Sequence, residues 1–296
     1  MFQSLESVMF DFLRYRLIGV IFSFSMIAIF VVSYVQKGGL VYSVEFTGGT
    51  QVLLNFKKPT ATKDLISVLE KNWPGVVTRE FSDKKILVRV KDFDNDTRGL
   101  ADRIRQTAQD VMPQNMVTVD GSEAVGPGVG ADLRWKSSRA FLLALILMLL
   151  YVAWRFWSVA FAAGAVFALL HDLIMMIGMF LLLGREISIN VIGAILAVIG
   201  YSINDTIVIF SRMRENIKTM RGASLYEIVN TSLNQTFKRT LLTSISTFLA
   251  VGSMFILGGE ALKDFSLAIL MGIFFGTYSS IYIASPIMML LYKEDK

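Results

Sequence analysis

Asp205 is the residue of this sequence whose surroundings say most about its chemistry. It lies inside an apolar run, residues 190–210, with about two helical turns of uncharged residues between it and Arg212. An ionised carboxylate in the hydrocarbon core of a bilayer costs at least about 2.5–3.5 kcal/mol, so such a group faces a bundle interior, pairs with a cation or carries a proton. Steps of three and four residues place Asp205 on one helix face with Asn190, Ala194, Ala197 and Tyr201. We expect this face to look into a helix bundle, and a transporter is the first hypothesis.

The single histidine, His171, is followed directly by Asp172 within another apolar run. Adjacent residues of a helix point about 100° apart, so these two side chains are poorly placed to share one metal ion. We interpret His171 as part of a polar network, and direct participation of His171 and Asp172 in proton movement is the alternative. The chain has no cysteine, which excludes disulfides, thiolate metal sites and cysteine nucleophiles. No metal, no organic cofactor and no enzymatic activity are predicted.

A glycine-rich segment, residues 125–130, reads VGPGVG and invites comparison with phosphate-binding loops. A proline interrupts its glycines and no lysine–serine pair follows, so the segment lacks the groups that hold a phosphate. We predict instead a hinge or shaped turn before a membrane span, formed by Gly126, Pro127, Gly128, Gly130 and Asp132.

Small residues recur at every fourth position near the end of the chain, and they predict a flat helix face on which another backbone packs closely. The residues of this small-residue stripe are Gly272, Gly276, Ser280 and Ala284. A second segment is rich in hydroxyl groups, which either line a wet path or bond back to helix carbonyls. Its residues are Thr243, Ser244, Ser246 and Thr247.

Membrane helices are the elements that position these residues. The chain is 54% hydrophobic and 18% charged, and its charges collect in one long stretch and in short segments between apolar runs. A helix needs about 20 apolar residues to span the hydrocarbon core, and several stretches are long enough. They are residues 17–35, 138–154, 157–183, 187–210, 241–257 and 265–292. The sequence therefore predicts a polytopic α-helical membrane protein with six transmembrane helices.

Lysine and arginine in the short loops predict the orientation, because cytoplasmic loops carry the excess of positive charge. With six spans, the richer side holds Arg14, Arg16, Arg155, the segment 212–239, Lys293 and Lys296, and the other side holds Arg185 and Lys263. Both termini are then cytoplasmic, and the long polar stretch after the first span is periplasmic. The net charge of +5 comes from these membrane flanks, and no basic stripe interleaved with aromatic residues indicates nucleic-acid binding.

The long polar stretch is large enough to be a domain of its own. Its pattern is strand, helix, strand, strand, helix, strand, at residues 50–56, 60–72, 76–81, 85–90, 97–111 and 116–120. That order predicts one periplasmic α+β domain of the ferredoxin-like type. The predicted organisation is a cytoplasmic N-terminus with the first span at 1–36, the periplasmic domain at 37–137, the other five spans at 138–292 and a cytoplasmic tail at 293–296.

Six motifs follow one another along nearly the whole chain. They are VEFTGGT at 44–50, VGPGVGADL at 125–133, ALLHD at 168–172, IGYSINDTIVIFSRMREN at 199–216, LNQTFKRTLLTS at 233–244 and GTYSSIYIAS at 276–285. In order and spacing the chain resembles the SecD/SecF family of protein-export membrane subunits, part of the resistance-nodulation-division superfamily. Members of that superfamily usually carry twelve spans. The resemblance therefore implies half of a transporter, with a SecD-like subunit as the other half.

The resemblance also implies roles for individual residues. Asp205 would be the acidic residue of a transmembrane proton pathway, and Arg239 would be the basic residue of the neighbouring span that acts with it. Ser211 stands where many relatives have a second aspartate before the arginine, which leaves that position without a carboxylate for a second relay.

The activity that the resemblance implies is that of a motor for protein export in the bacterial inner membrane, driven by protons, or by sodium in their place, without a cofactor. The implied partners are the SecD-like subunit, the SecYEG translocon, a YajC-like accessory protein, unfolded secreted polypeptide and membrane lipid, with no nucleic acid. A half-size proton-coupled exporter of small molecules or lipids is the alternative, although such exporters usually carry both halves on one chain. A structural scaffold would need no intramembrane acid such as Asp205.

Overall fold

The computed structural model describes residues 9–60, 62–92, 97–156 and 158–292. The predicted cytoplasmic tail at 293–296, with Lys293 and Lys296, and the start of the predicted third span at Trp157 lie outside the described residues. The chain divides into a helical unit, Met1–Val41 with Phe141–Lys296, and an α/β unit, Tyr42–Ala140. These bounds lie within five residues of the predicted ones.

The first element of the helical unit is α1 (Arg16–Lys37), which follows a short 3₁₀ turn at Leu13–Tyr15. Gly38 ends it in the left-handed conformation, with φ of +73°, which is the usual way for a glycine to stop a helix. In chain order the α/β unit then contributes α2 (Val44–Thr47), β1 (Gly49–Phe56), α3 (Thr62–Asn72), β2 (Val77–Ser82), β3 (Lys85–Val90), α4 (Thr97–Val111) and β4 (Val117–Val125).

The strands of the α/β unit form one sheet in the order β2-β3-β1-β4, and every neighbouring pair is antiparallel. Alternate residues of β1 point to one face of the sheet and are buried there, namely Val52, Leu54 and Phe56. The helices cover that face with residues spaced three or four apart, because such residues share one side of a helix. The buried helix residues are Leu65, Leu69, Leu100, Ile104 and Ala108. The predicted sequence of strands and helices is the one found, with β4 ending five residues later than predicted and α2 not foreseen.

The entry into β1 depends on two glycines with positive φ. Gly48 has φ of +72° and Gly49 has φ of +108°. A Cβ atom on Gly49 would lie 2.3 Å from the carbonyl oxygen of Val90 on the neighbouring strand β3. Both the backbone conformation and the lack of space therefore require glycine at this position.

Gly49→Ala is expected to destabilise the α/β unit by at least about 1–3 kcal/mol, because alanine is strained at this φ and its methyl group has no room. Gly121→Ala is the matched control in the same sheet, since a Cβ there meets nothing within 4 Å. Chemical denaturation followed by fluorescence measures the difference. Equal midpoints for the two variants would contradict the packing argument.

The remaining helices are α5 (Pro127–Phe156), α6 (Val159–Leu182), α7 (Ile189–Thr219), α8 (Leu225–Leu257), α9 (Gly259–Ser279) and α10 (Ser285–Leu291), with a π-helical segment at Ser280–Ala284 between the last two. Among the described residues, six helices are long and apolar enough to cross a membrane, which confirms the predicted number of spans. They are Leu13–Lys37, Pro127–Phe156, Val159–Leu182, Ile189–Thr219, Leu225–Leu257 and Leu262–Leu291.

The predicted hinge at the glycine-rich segment is wrong for most of its residues. Pro127 begins α5, a position that suits proline because its fixed φ fits a helix and its missing N–H would have no partner there. Gly128, Gly130 and Asp132 lie in the first turns of this helix, and only Gly126 remains between β4 and α5. Gly130 serves close packing instead, since a Cβ there would lie 2.9 Å from the backbone nitrogen of Gly48.

The fifth span begins earlier than its apolar run. Ser224 caps α8 by accepting a hydrogen bond from the backbone of Glu227, whose carboxylate accepts one from the Ser224 backbone in return. This reciprocal capping box starts the helix at Leu225, about four turns before the predicted apolar boundary at residue 241. Much of the charged segment 212–239 is thus helix rather than loop.

The small-residue stripe of the last span faces other helices of the same unit. A Cβ on Gly272 would lie 2.1 Å from Cγ1 of Val198, and one on Gly276 would lie 2.9 Å from Cβ of Ser202, both on α7. Ala284 is the last residue of the π-helical segment and instead approaches α6. A Cβ atom on Gly164 of α6 would lie 2.6 Å from the carbonyl oxygen of Ala284. Ser280 is fully buried. The two ends of the stripe therefore meet two different helices.

Candidate functional site

The candidate site lies on α7, whose first turn is capped by the side chain of Ser188. Asp205 is 5% exposed, and its Oδ2 atom has no hydrogen-bond partner within the described ranges. Its predicted helix face is only partly inward, because Ala194 is buried whereas Asn190 and Ala197 are exposed. These residues stay within about 80° of the helix circumference, and the boundary between the buried and the exposed side of α7 runs through that arc. Asp205 itself lies at the buried end.

Arg239 on α8 is close enough to act electrostatically on the Asp205 carboxylate. The arginine is exposed on the surface of this single chain, whereas the aspartate is buried. Asp205 and Arg239, which the sequence analysis paired, therefore lie within each other's electrostatic field. In the described part of the chain no direct hydrogen bond to Asp205 Oδ2 comes from Arg239 or any other residue.

Two further buried oxygens near these residues in sequence have no hydrogen-bond partner among the described residues. They are the hydroxyl of Tyr201, one helical turn before Asp205 on α7, and Oγ1 of Thr240, directly after Arg239 on α8. Buried polar groups are nearly always paired, with ordered water where not with protein, so these oxygens are available to water, an ion or a proton. Thr240 was not predicted, and its position next to Arg239 is the signal that would have found it.

Asp172 on α6 is fully buried and belongs to a second polar cluster. Its Oδ2 atom accepts a hydrogen bond from the hydroxyl of Ser202 on α7 at 2.5 Å, and its Oδ1 lies 3.3 Å from Nδ1 of His171. Ser202 precedes Asp205 by three residues, so the Asp172 cluster touches α7 about one turn from Asp205.

The cluster continues from His171 to the first and last spans. Nε2 of His171 lies 3.0 Å from the hydroxyl of Ser23 on α1, which lies 2.9 Å from the hydroxyl of Tyr278 on α9. Tyr278 in turn donates to the carbonyl oxygen of Gly19 on α1. The network therefore joins α1, α6, α7 and α9. Ser23, Ser202 and Tyr278 were missed as site residues. Ser202 and Tyr278 lie inside the motifs at 199–216 and 276–285, which is the signal that could have found them.

The hydroxyl-rich segment of α8 bonds mostly to its own helix. Thr243, Ser246 and Thr247 each donate to the carbonyl of the residue four positions earlier, at 2.7–3.1 Å. Ser244 is the exception, because its hydroxyl lies 2.8 Å from that of Thr277 on α9. The alternative of back-bonding therefore holds for three of the four residues.

Among the described residues, no three His, Asp or Glu side chains lie close enough together to hold a metal ion. The chemistry that the site offers is that of single ionisable groups in a membrane span, namely a buried carboxylate, an arginine near it and a histidine–aspartate pair.

Comparison with known proteins identifies the family. A family model described as "Protein export membrane protein SecD/SecF, C-terminal" matches residues 103–294, and one described as "SecD/SecF GG Motif" matches residues 37–60. The chain belongs to the SecD/SecF family. The second match contains Gly48 and Gly49, whose conformations the entry into β1 requires.

Family relatives extend over nearly the whole chain. Protein translocase subunit SecF of Vibrio alginolyticus is 38% identical over 97% of this chain and 91% of its own length. Protein translocase subunit SecF of Thermodesulfovibrio yellowstonii is 34% identical over 100% of this chain and 99% of its own length. Protein translocase subunit SecDF of Thermus thermophilus is 40% identical over 88% of this chain, which corresponds to 36% of the longer protein.

Comparison with solved structures gives the same family. The crystal structure of SecDF from Thermus superposes with a TM-score of 0.86 at 36% identity, covering 98% of this chain and 39% of that one. SecDF in its super-membrane-facing form gives a TM-score of 0.68 at the same identity and coverage. The chain thus spans little more than a third of SecDF. Family membership and six apolar helices identify a multi-pass membrane protein.

Proposed function

We propose that this chain is the SecF-type subunit of a Sec protein-translocation machine, which uses the proton gradient together with a SecD-like partner to complete protein export. The observation that carries the proposal is the buried carboxylate of Asp205, which lies in a membrane span without a hydrogen bond to Oδ2 from the described residues and within the field of Arg239. SecF relatives along nearly the full chain support the transport role.

Protonation of Asp205 would switch its interaction with Arg239. The ionised carboxylate attracts the guanidinium, and the neutral acid releases it, so the two protonation states favour different positions of α7 and α8. One charge that crosses about 100 mV releases about 2.3 kcal/mol, and about 1.4 kcal/mol is a tenfold change in an equilibrium. A single proton therefore suffices to drive a two-state movement. His171 and Asp172 are proposed to support this pathway through the polar network around Ser202.

The α/β unit is proposed to lie in the periplasm and to hold unfolded polypeptide as it emerges. The strand order, which read from the other edge is β4-β1-β3-β2, supports a ferredoxin-like domain, because a split β-α-β arrangement places the strands this way. Arginine-rich flanks on the other side support cytoplasmic termini in the bacterial inner membrane. A motor of this kind performs no covalent chemistry and needs no cofactor beyond the coupling ion.

A SecD-like subunit is proposed to cover the exposed spans. In the most apolar stretches of α5 and α8 only 6% and 11% of residues are buried, against 50% or more in α6, α7 and the last span. The exposed side of α7 is lined with small residues, a surface on which another helix packs closely. These residues are Gly193, Ala197, Gly200 and Asn204. The fused SecDF relative supports this partner, and SecYEG and a YajC-like protein are proposed as further partners.

Arg239→Ala is expected to reduce export by at least about tenfold, because the ionised form of Asp205 then loses its nearby cation. Arg239→Lys should restore export only in part, since a lysine keeps the charge but not the planar guanidinium. The measurement is translocation of a secreted reporter into inverted membrane vesicles energised by an imposed proton gradient. Lys238→Ala, the neighbouring exposed cation, is the matched control.

Full export by Arg239→Ala would contradict the proposed pairing. A second arm replaces the proton gradient with a sodium gradient at constant pH. Export that responds to sodium and not to protons would mean that the same site couples export to sodium.

A further inference from the structure

The hydrogen bonds around His171 have a direction that the geometry determines. Tyr278 has one hydroxyl hydrogen, and this hydroxyl is in close contact with the carbonyl oxygen of Gly19, which can only accept. Tyr278 therefore donates to Gly19 and must accept at its 2.9 Å contact with Ser23. The single hydroxyl hydrogen of Ser23 is then used towards Tyr278. At its 3.0 Å contact with His171, Ser23 can only accept, so Nε2 of His171 carries a hydrogen.

The same accounting applies to the other side of the ring. Ser202 donates its hydroxyl hydrogen to Oδ2 of Asp172, and Oδ1 of Asp172 lies 3.3 Å from Nδ1 of His171. If Nε2–H is the only ring hydrogen, Nδ1 presents a lone pair to a carboxylate oxygen, and the two repel. One more proton on this contact removes the repulsion, either as a second N–H on the ring or as an O–H on the acid.

We propose that His171 and Asp172 form a second proton-binding site in the bundle, which holds one proton on the Nδ1–Oδ1 contact and is electrically neutral as a pair. A neutral pair avoids leaving an isolated negative charge at a residue that is 0% exposed within a membrane span. The inference rests on hydrogen-bond directions, and it does not depend on whether Asp205 couples export to a proton gradient.

The titratable groups that face this pair come from several helices. Tyr278 on α9 lies with its ring centroid 5.7 Å from that of His171, and Tyr282 in the π-helical segment lies 5.4 Å from Tyr278. Asp205 follows Ser202 by one turn on α7, and Ser23 is the polar residue that α1 contributes. Both tyrosines carry their own protons, so the proton shared by His171 and Asp172 is not supplied by either of them in their neutral forms.

The chain contains one histidine, so its imidazole can be observed without ambiguity. The experiment is nitrogen NMR of the full-length protein in lipid, labelled with ¹⁵N-histidine and purified without a histidine tag. The expected spectrum shows Nε2 protonated, with Nδ1 either protonated or hydrogen-bonded to an acid proton. A ring protonated at Nδ1 with a bare Nε2 would overturn the proposal, as would an Nδ1 free of any hydrogen bond.

Tyr278→Phe tests the origin of the direction. Without the tyrosine hydroxyl, Ser23 is free to donate to Nε2, and we expect a population with a hydrogen on Nδ1 and none on Nε2, which wild type lacks. Tyr282→Phe, which removes a hydroxyl from the neighbouring ring of the same span, is the matched control and should leave the spectrum unchanged. An unaltered spectrum in Tyr278→Phe would contradict the hydrogen-bond direction. If either variant fails to fold, the wild-type spectrum alone decides the proposal.

Discussion

Asp205→Asn is expected to stop gradient-driven export almost completely while the protein still inserts and assembles. Asparagine has nearly the same size as aspartate but cannot bind and release a proton. The variant therefore cannot use the free energy of the gradient, about 2.3 kcal/mol for each charge that crosses 100 mV. Export of a secreted reporter in pulse-labelled cells should fall by at least about tenfold. The amount of the variant in the membrane, and its co-purification with the SecD-like subunit, should match wild type.

Two further variants separate the carboxylate from other effects at this site. Asp205→Glu keeps an ionisable acid on a longer side chain and should retain part of the export activity. Asp102→Asn removes an exposed carboxylate that is paired with Arg105 within one helix of the α/β unit, and it should have no effect. Near-normal export by Asp205→Asn, or an equal loss in Asp102→Asn, would mean that Asp205 is not the coupling group.

Gly272→Leu is expected to have the largest effect on the stability of the bundle itself. A Cβ at Gly272 would already lie 2.1 Å from Cγ1 of Val198, so a leucine forces α9 and α7 apart. Inserting methylenes into a packed core costs about 1–3 kcal/mol and sometimes more. The thermal unfolding temperature of the purified chain in detergent should therefore fall clearly.

Gly193→Leu is the matched change on the exposed face of α7, where a Cβ meets nothing within 4 Å. We expect the isolated chain to keep its unfolding temperature and the complex with the SecD-like subunit to be weakened, as measured by co-purification. The opposite pattern, with Gly193→Leu unstable and Gly272→Leu impaired only in assembly, would reverse the assignment of the two faces.

Much of the fold could be predicted because it depends on local patterns. Long apolar runs correspond to the six membrane helices, and alternation over residues 50–56 corresponds to β1 with its buried face. The misjudged boundaries have local causes as well. Pro127 was taken to mark a turn although proline also favours the first position of a helix, and Ser224 caps α8 within a segment that its charges made look like a loop.

The candidate site was predictable in part. A lone carboxylate in an apolar run is visible in the sequence, and the structure places Asp205 in a buried position near Arg239, although its role remains a prediction. The polar cluster around His171 and Asp172 was not predictable, because Ser23, Ser202 and Tyr278 come from three different helices and nothing local links them. Similarly, the spacing of Gly272 and Gly276 indicated close packing, but only the structure shows that α7 is the helix they face.

The most direct test of the central claim compares reporter export into inverted vesicles with and without an imposed proton gradient, in wild type and in Asp205→Asn. If Asp205 is the proton-carrying group, the gradient accelerates export by wild type and has no effect on the variant, while export without the gradient is equal in both. A variant whose export still rises with the gradient as it does in wild type would contradict the account.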